Sequence, residues 1–249
     1  MTNVHRIFAL ALVALTGCPK RTETFRVAAA SDLQNAFEEL GAKFEADTGV
    51  KPAFDFGSSG LLAKQIEQGA PYALFAAANK EFVDQAVAAG KCDKATAHVY
   101  SRGRIVVFTP TGVEPPKQLA DVVDPRFAKI AIANPAHAPY GKAAQQALEK
   151  VDAWSKIQDR LVLGENIQAA MMYAHNKNVD VAIVALSLAL NYKADGTYYE
   201  VPLDLYAPLD QALVVCGGGT EAANAKRFVD LIASPAGREI MKRYGFEAR

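Results

Sequence analysis

Small and hydroxyl-bearing residues stand at four places where a short apolar segment runs into an amphipathic one. These junctions cover residues 27–31, 54–60, 132–141 and 163–167. Each has the pattern of a strand that ends where a helix begins. The first backbone N–H groups of a helix have no partner within it and carry a partial positive charge. Several helix starts that converge on one point therefore predict a binding site for an anion.

The periodicity of the apolar residues predicts the elements that must position these junctions. Strands are predicted at 25–30, 50–56, 74–78, 104–109, 129–133, 181–185 and 212–215. Helices are predicted at 32–47, 61–68, 80–89, 118–122, 141–151, 167–175, 221–234 and 235–246. This alternation is typical of an α/β protein with largely parallel sheets.

Two of the four junctions fall in each half of the chain, which favours a fold with two lobes. Ligands of open α/β sheets bind at the carboxyl ends of the strands, so the binding cleft is expected between the lobes. We predict that residues 25–101 and 206–249 form the first lobe and residues 102–205 the second.

Length and charge restrict the class of function. The chain has 249 residues, of which 51% are hydrophobic and 22% charged, enough for one large core or two smaller lobes. The 27 Lys and Arg residues balance the 27 Asp and Glu residues. Because nucleic-acid-binding surfaces are basic, a nucleic-acid partner is not expected.

The first 18 residues have the features of an export signal. The apolar run at 7–15 is too short to span a bilayer as a helix, which takes about 20 residues. It ends in Leu-Thr-Gly-Cys at 15–18, which resembles the lipobox of bacterial lipoproteins. We expect a lipoprotein signal peptide at 1–17, a lipid on Cys18 that anchors the protein to a membrane outside the cytoplasm, and a tether at 18–24. An ordinary secretory signal is the alternative.

The two remaining cysteines, Cys92 and Cys216, are far apart in the sequence. An oxidising compartment permits a disulfide, but the sequence does not establish that the two residues approach one another. Two separate thiols, at least one of them buried, are expected. No cofactor or resident metal is expected either, because no metal-ligand spacing relates the histidines, which are His5, His98, His137 and His175.

Five short motifs occur in order along residues 25–246. They are Ala-Ala-Ala-Ser at 28–31, Phe-Gly-Ser-Ser at 56–59, Gln-Ile-Glu-Gln-Gly-Ala-Pro at 65–71, Asn-Pro-Ala-His-Ala-Pro-Tyr-Gly at 134–141 and Lys-Arg-Tyr-Gly-Phe at 242–246. Jointly they resemble the periplasmic molybdate-binding proteins of ABC importers. The resemblance implies a type II periplasmic-binding-protein fold. It also implies a protein that captures molybdate or tungstate and passes it to an ABC permease. A monomer is the default expectation, and an enzyme is not expected.

The resemblance also implies how the anion, and with it the molybdenum atom, is held without a cationic side chain. Ser31 and Ser59 match two positions that donate hydroxyl groups. Tyr140 and Ile167 match two positions that donate backbone N–H groups. A tetrahedral dianion has acceptors and no donors, so a site of neutral N–H and O–H groups suits it.

Two positions depart from the family pattern. The family's tyrosine donor falls at Ala185, and a common aspartate falls at Ala73. Ser58 and Ser187 are additional candidate donors. The departures keep another oxyanion, such as sulfate or phosphate, open as the ligand.

The same residues also permit other interpretations. A secreted serine hydrolase could use Ser59, although Leu61 stands where a nucleophile elbow needs glycine. Ser31 and Ser59 could be plain N-caps, as an isolated serine before a helix usually is. Asp32 is expected to interact with the helix dipole, His137 to lie in a turn and Asn166 to cap a helix.

Overall fold

Two mixed β-sheets with helices on their faces form the protein, seen in a computed structural model that describes residues 23–248. The strands are β1 (Glu23–Ala30), β2 (Val50–Gly57), β3 (Leu74–Ala77), β4 (His98–Gly103), β5 (Ile105–Pro110), β6 (Ile130–Ala133), β7 (Leu161–Gly164), β8 (Val181–Ala185), β9 (Gly196–Glu200), β10 (Leu209–Val215) and β11 (Glu247–Ala248). The helices are α1 (Gln34–Thr48), α2 (Ser59–Glu67), α3 (Lys80–Ala88), α4 (Pro139–Lys150), α5 (Trp154–Ile157), α6 (Ile167–His175), α7 (Leu186–Asn191), α8 (Gly219–Ala233) and α9 (Pro235–Arg243).

The first sheet has the strand order β11-β4-β10-β3-β1-β2, and the second has the order β7-β6-β8-β5-β9. Within them β1 runs parallel to β2 and β3, and β6 runs parallel to β7 and β8. The sheets are not largely parallel as predicted, because β10 and β5 run antiparallel to both of their neighbours. A parallel neighbour needs a crossover connection within one sheet. The chain instead enters β5 directly from β4 of the first sheet, and it enters β10 from β9 of the second sheet.

An aromatic cluster holds α1 and α8 against β1. The ring of Phe228 in α8 lies 6.0 Å from that of Phe25 in β1, and 5.7 and 5.5 Å from those of Phe37 and Phe44 in α1. All three pairs meet edge to face, an arrangement that contributes about 0.5–1.5 kcal/mol per pair beyond burial. The apolar face predicted for α1 is therefore confirmed as a core face, and it fixes the junction that follows β1.

A disulfide joins Cys92, after α3, to Cys216, after β10, with the two Cα atoms 3.9 Å apart. The expectation of two separate thiols is wrong. Backbone hydrogen bonds from Asp93 N–H to the Val215 carbonyl (2.9 Å) and from Gly217 N–H to the Lys91 carbonyl (3.3 Å) align the two segments. Because these contacts depend on the pairing of β10 with β3, sequence spacing gave no sign of them.

The chain passes between the sheets at two places. Arg104 alone separates β4 from β5, and residues 201–208 lead from β9 back to β10. The guanidinium of Arg104 bonds to Glu200 of the second sheet (3.0 Å) and to Glu247 of the first (2.9 Å). An ion-pair network therefore sits on one crossing and joins the edges of both sheets.

The N-terminal predictions fall largely outside the described residues. The signal peptide at 1–17 and the lipidation of Cys18 lie there. The tether, predicted to end at Thr24, is two residues too long, because β1 begins at Glu23 and pairs there with Val50. Within residues 23–248, no helix combines the length and the apolar character needed to cross a membrane.

Candidate functional site

The four predicted junctions meet at one cavity. The last residue of β1, Ala30, is paired with the last residue of β2, Gly57. The last residues of β6 and β7, Ala133 and Gly164, are paired in the same way, so the two strands of each pair end side by side. The cavity is small, with a volume of about 10 Å³. It is lined by Ala30, Ser31, Asp32, Gly57, Ser58, Ser59, Ala78, Ala138, Pro139, Tyr140 and Ile167.

The hydroxyl groups of Ser31 and Ser59 are both poised to donate. Ser59 Oγ accepts the N–H of Ala78 at 2.9 Å, and Ser31 Oγ accepts the N–H of Gln168 at 3.3 Å. Neither hydroxyl is the side-chain cap of its own helix. Because a hydroxyl has one proton and two acceptor positions, each serine keeps its proton for another acceptor. Both serines are at most 2% exposed, so that acceptor must lie inside the protein or the cavity.

Backbone N–H groups of two helix starts line the opposite side. Tyr140 is the second residue of α4, and Ile167 is the first residue of α6. At these positions the N–H has no partner within the helix. Pro139 at the first position of α4 and Asn166, whose Oδ1 accepts the N–H of Ala169 at 2.9 Å, fix where the helices begin. The prediction that Asn166 caps α6 is confirmed.

Gly141 lets the start of α4 lie directly on the end of β6. A Cβ atom at this position would overlap the carbonyl oxygen of Ala133. We expect Gly141→Ala to displace the Tyr140 N–H, to destabilise the protein by about 1–3 kcal/mol and to weaken oxyanion binding about tenfold, the value of one hydrogen bond to a charge. Thermal unfolding and oxyanion titration measure the two effects.

The control for this prediction is Gly218→Ala. Gly218 has extended backbone, and a Cβ atom there would contact nothing within 4 Å. Wild-type affinity in both variants would show that the close approach at Gly141 does not position the α4 start for binding.

Ser58 joins the two sheets instead of offering a free proton. Its Oγ donates to the carbonyl of His137 at 2.6 Å, and the same carbonyl accepts the N–H of Gly60 at 3.0 Å. His137 lies in a turn, as predicted, and its Nδ1 is 2.9 Å from Ser58 Oγ. Since the proton of Ser58 points to the carbonyl, the ring nitrogen is the donor in this contact.

The remaining sequence candidates lie at different distances from the cavity. Ser187 is not among its lining residues, and its Oγ donates to the carbonyl of Asp32 at 3.2 Å. Ala185 is the fully buried last residue of β8. Ala73 precedes β3, whereas Ala78, after β3, lines the cavity. At about 3.3 Å per residue, Ala73 is about 16 Å from that end of the strand.

A polar residue that the sequence did not single out, Gln211 of β10, is buried in contact with Asp32. Asp32 is not a simple first-turn acid, because its carboxylate accepts hydrogen bonds from the Tyr140 hydroxyl and from Gln211 of β10. Burial raises the pKa of the Asp32 carboxyl to about 6, against the opposing effect of these two hydrogen bonds. The one available signal was a glutamine inside the apolar run of residues 209–215.

Apart from the carboxyl of Asp32, the side chains that line the cavity are uncharged. None of the described residues that line it is a lysine, an arginine or a histidine. Across residues 23–248 there is also no cluster of three or more His, Cys, Asp or Glu side chains that could hold a metal ion. Hydroxyl and amide donors at converging helix starts can bind a compact anion that carries only acceptors.

Comparison with known proteins identifies the family of the chain. Residues 25–247 match the family described as bacterial extracellular solute-binding protein. The molybdate-binding protein ModA of Rhodobacter capsulatus is 32% identical over 241 residues, which cover 96% of this chain and 94% of that protein. YvgL of Bacillus subtilis, whose name describes a substrate-binding lipoprotein of an ABC transporter, is 28% identical over 100% of both chains.

A solved structure has the same fold. The periplasmic molybdate-binding protein of Azotobacter vinelandii superposes with a TM-score of 0.82 and 28% identity, over 89% of this chain and 98% of that one. The predicted α/β fold of a periplasmic binding protein is confirmed. The chain belongs to the family of bacterial extracellular solute-binding proteins, and its relatives in that family include the molybdate-binding proteins ModA.

Proposed function

We propose that this protein is the solute-binding component of an ABC importer and that its ligand is molybdate or tungstate. Ser31, Ser59, Tyr140 and Ile167 hold the oxyanion in the cavity, two through hydroxyl groups and two through backbone N–H groups. The names of the relatives support the class of ligand. The observation that carries the proposal is that both serine hydroxyls already accept an amide N–H and keep their protons to donate.

The number of donors is sufficient for tight binding. A hydrogen bond to a charged group contributes about 1.5–3 kcal/mol. Two hydroxyl and two amide donors therefore contribute about 6–12 kcal/mol before the costs of desolvation and closure. A micromolar dissociation constant corresponds to about 8 kcal/mol, so tight binding does not require a cationic side chain.

Size, not charge, is the basis on which this site would distinguish molybdate from sulfate. The donors are fixed on helix starts and on hydroxyls that accept backbone N–H groups, so they cannot easily contract around a smaller ion. Phosphate at neutral pH carries a proton that needs an acceptor. Because Ser31, Ser59, Tyr140 and Ile167 would all act as donors, the site disfavours phosphate.

The alternative of a serine hydrolase is not supported by the contacts of Ser59. Its Oγ accepts a backbone N–H from Ala78, whereas the nearby His137 ring contacts Ser58 and donates to it. A base that activates a serine must accept the proton of that serine. An assay with activated esters is expected to show no turnover that depends on Ser59.

Two lobes, with the boundaries predicted from the sequence, would close around the ion. Residues 25–101 and 206–249 form the first lobe, built on the first sheet, and residues 102–205 form the second, built on the second sheet, except that Arg102 and Gly103 go with the first lobe because β4 is a strand of the first sheet. The closed monomer is the form that the permease recognises, so the ligand must bind the closed state more tightly than the open one. A lipid on Cys18 holds the protein at the membrane, a role that the name of YvgL supports.

Isothermal titration of the protein without residues 1–18 tests the proposal. Molybdate and tungstate are each expected to bind one to one, and sulfate and phosphate to release no heat. Binding of sulfate or phosphate alone would assign the site to another oxyanion. No binding of any of the four ions would contradict an oxyanion site.

A further inference from the structure

A buried cluster of three polar side chains adjoins the cavity. Asp32, Tyr140 and Gln211 are each at most 2% exposed. The Tyr140 hydroxyl donates to Asp32 Oδ2 at 2.8 Å, and Gln211 Nε2 lies 2.5 Å from the same oxygen and 3.0 Å from the Tyr140 hydroxyl. The phenol therefore accepts one hydrogen bond and donates another, and its position is fixed by both.

The cluster connects the two lobes. Asp32 follows β1 and Gln211 lies in β10, both in the first lobe, whereas Tyr140 lies in α4 of the second lobe. The phenol reaches the first lobe at Gly103 of β4, where a Cβ atom would overlap the Tyr140 hydroxyl. The glycine thus leaves the space that lets the ring enter the first lobe.

Both residues at the centre of the cluster are tied to anion donors. Asp32 follows Ser31, whose hydroxyl is one donor. The backbone N–H of Tyr140 is another, on the opposite side of the cavity. A contact between their side chains therefore sets the distance between donors of the two lobes.

The carboxylate of Asp32 lies among uncharged groups. The titratable groups that face it are the phenols of Tyr100 in β4 and Tyr140 in α4. Burial raises the pKa of both phenols, and the charge of Asp32 raises it further. Within residues 23–248, Asp32 makes no ion pair, and its buried Oδ1 has no hydrogen-bond partner. Charged groups on the surrounding elements pair elsewhere, as Arg26–Asp55, Lys142–Glu81, Arg102–Asp210, His175–Asp195 and Arg243–Glu39.

We infer that Asp32 is a positioning residue that acts through Tyr140: it docks the second lobe onto the first, and its carboxyl takes up a proton when the lobes close on the anion. The inference rests on the proposed function, because it assigns a role within the same site. Closure removes the carboxylate from water, and a dianion arrives beside it. Both changes favour the neutral carboxyl.

The direction of the pH dependence follows from the two states. In an open cleft the carboxyl has an ordinary pKa of about 3.9, whereas burial in the closed form raises its pKa to about 6. The closed form therefore binds more protons between these values. Affinity is therefore highest at low pH and falls as the pH rises through the pKa of the closed form, by about tenfold between pH 5 and pH 7.

The test compares oxyanion titrations of the wild type and of Asp32→Asn from pH 5 to pH 8. The variant keeps an oxygen that can accept from Tyr140, and it cannot titrate. We expect the wild-type affinity to fall about tenfold from pH 5 to pH 7 and the variant to lose this dependence. Protonation of the oxyanion itself affects both proteins alike, so the difference between the two profiles reports Asp32.

A second pair of variants tests the contact itself. Tyr140→Phe keeps the ring and the backbone N–H and removes the hydroxyl, and we expect it to weaken molybdate binding about tenfold. Tyr199→Phe is the matched control, because the buried hydroxyl of Tyr199 has no hydrogen-bond partner among the described residues, and its affinity should equal that of the wild type.

Each outcome decides a separate claim. Parallel pH profiles in the wild type and Asp32→Asn, or wild-type affinity in Tyr140→Phe, would overturn the inference and leave the proposed function standing. A wild type that binds neither molybdate nor tungstate would overturn both. Should Tyr140→Phe fail to fold, the profile of Asp32→Asn decides alone.

Discussion

Replacing Ser59 with alanine is expected to weaken molybdate binding about 10- to 150-fold, which corresponds to about 1.5–3 kcal/mol. Ser59 Oγ accepts the N–H of Ala78, which orients its proton toward the cavity. Alanine removes that donor and leaves a buried oxyanion without one of its hydrogen bonds. The loss should appear in the dissociation constants of the wild type and the variant, measured by titration calorimetry at the same pH.

Ser101→Ala is the control for this prediction. Ser101 is 1% exposed, lies in β4, and its hydroxyl has no partner in the described part of the chain, so its removal tests the loss of a buried hydroxyl outside the site. Ser59→Ala also leaves the Ala78 N–H without an acceptor, which costs about 1 kcal/mol of stability. Thermal unfolding separates that cost from the loss of affinity. An unchanged dissociation constant in Ser59→Ala would remove Ser59 from the site.

Removing the disulfide with Cys92→Ala and Cys216→Ala together is expected to lower the free energy of unfolding by about 2–5 kcal/mol. The bond joins residues 124 positions apart, and a crosslink over so long a loop strongly restricts the unfolded chain. Neither cysteine lines the cavity, so molybdate affinity should be unchanged. Urea unfolding followed by circular dichroism measures the difference.

The wild type treated with a reductant is the control for the double variant, since it loses the same crosslink without a change of side-chain size. The two proteins should unfold at the same urea concentration. A double variant as stable as the oxidised wild type would show that the crosslink does not contribute to stability under these conditions.

Most of the helices and strands could be predicted from local patterns, because an element with a face buried in the core has a regular pattern of apolar residues. The apolar faces of α1 and α6 have helical periodicity, and β5 and β8 are short continuous apolar runs. The sequence did not predict β4, β9, β11, α5 and α7, and the last helix, predicted at 235–246, ends at Arg243. Strand β9 is largely exposed at the edge of its sheet, and α7 has only six residues, so neither has the periodicity of a buried element.

The sequence predicted which junction residues would meet at one cavity, because each junction has its own local pattern. Ser31, Ser58, Ser59, Tyr140 and Ile167 line one cavity because the parallel registers of β1 with β2 and of β6 with β7 bring the strand ends together. Contacts between distant segments were not predictable in this way. The bond from Gln211 to Asp32 spans 179 residues, and the one from Tyr140 to Asp32 spans 108. Only the assembled fold brings such groups into contact.

The position of the disulfide determines what a proteolytic cut does to the chain. Every strand of the second sheet, and both crossings between the sheets, lie between Cys92 and Cys216 along the chain. A single backbone cut at an exposed loop anywhere in that interval opens a covalent ring and does not divide the molecule. The nicked protein therefore keeps both halves of its binding site on one covalently connected molecule, and only reduction of the bond would release a fragment.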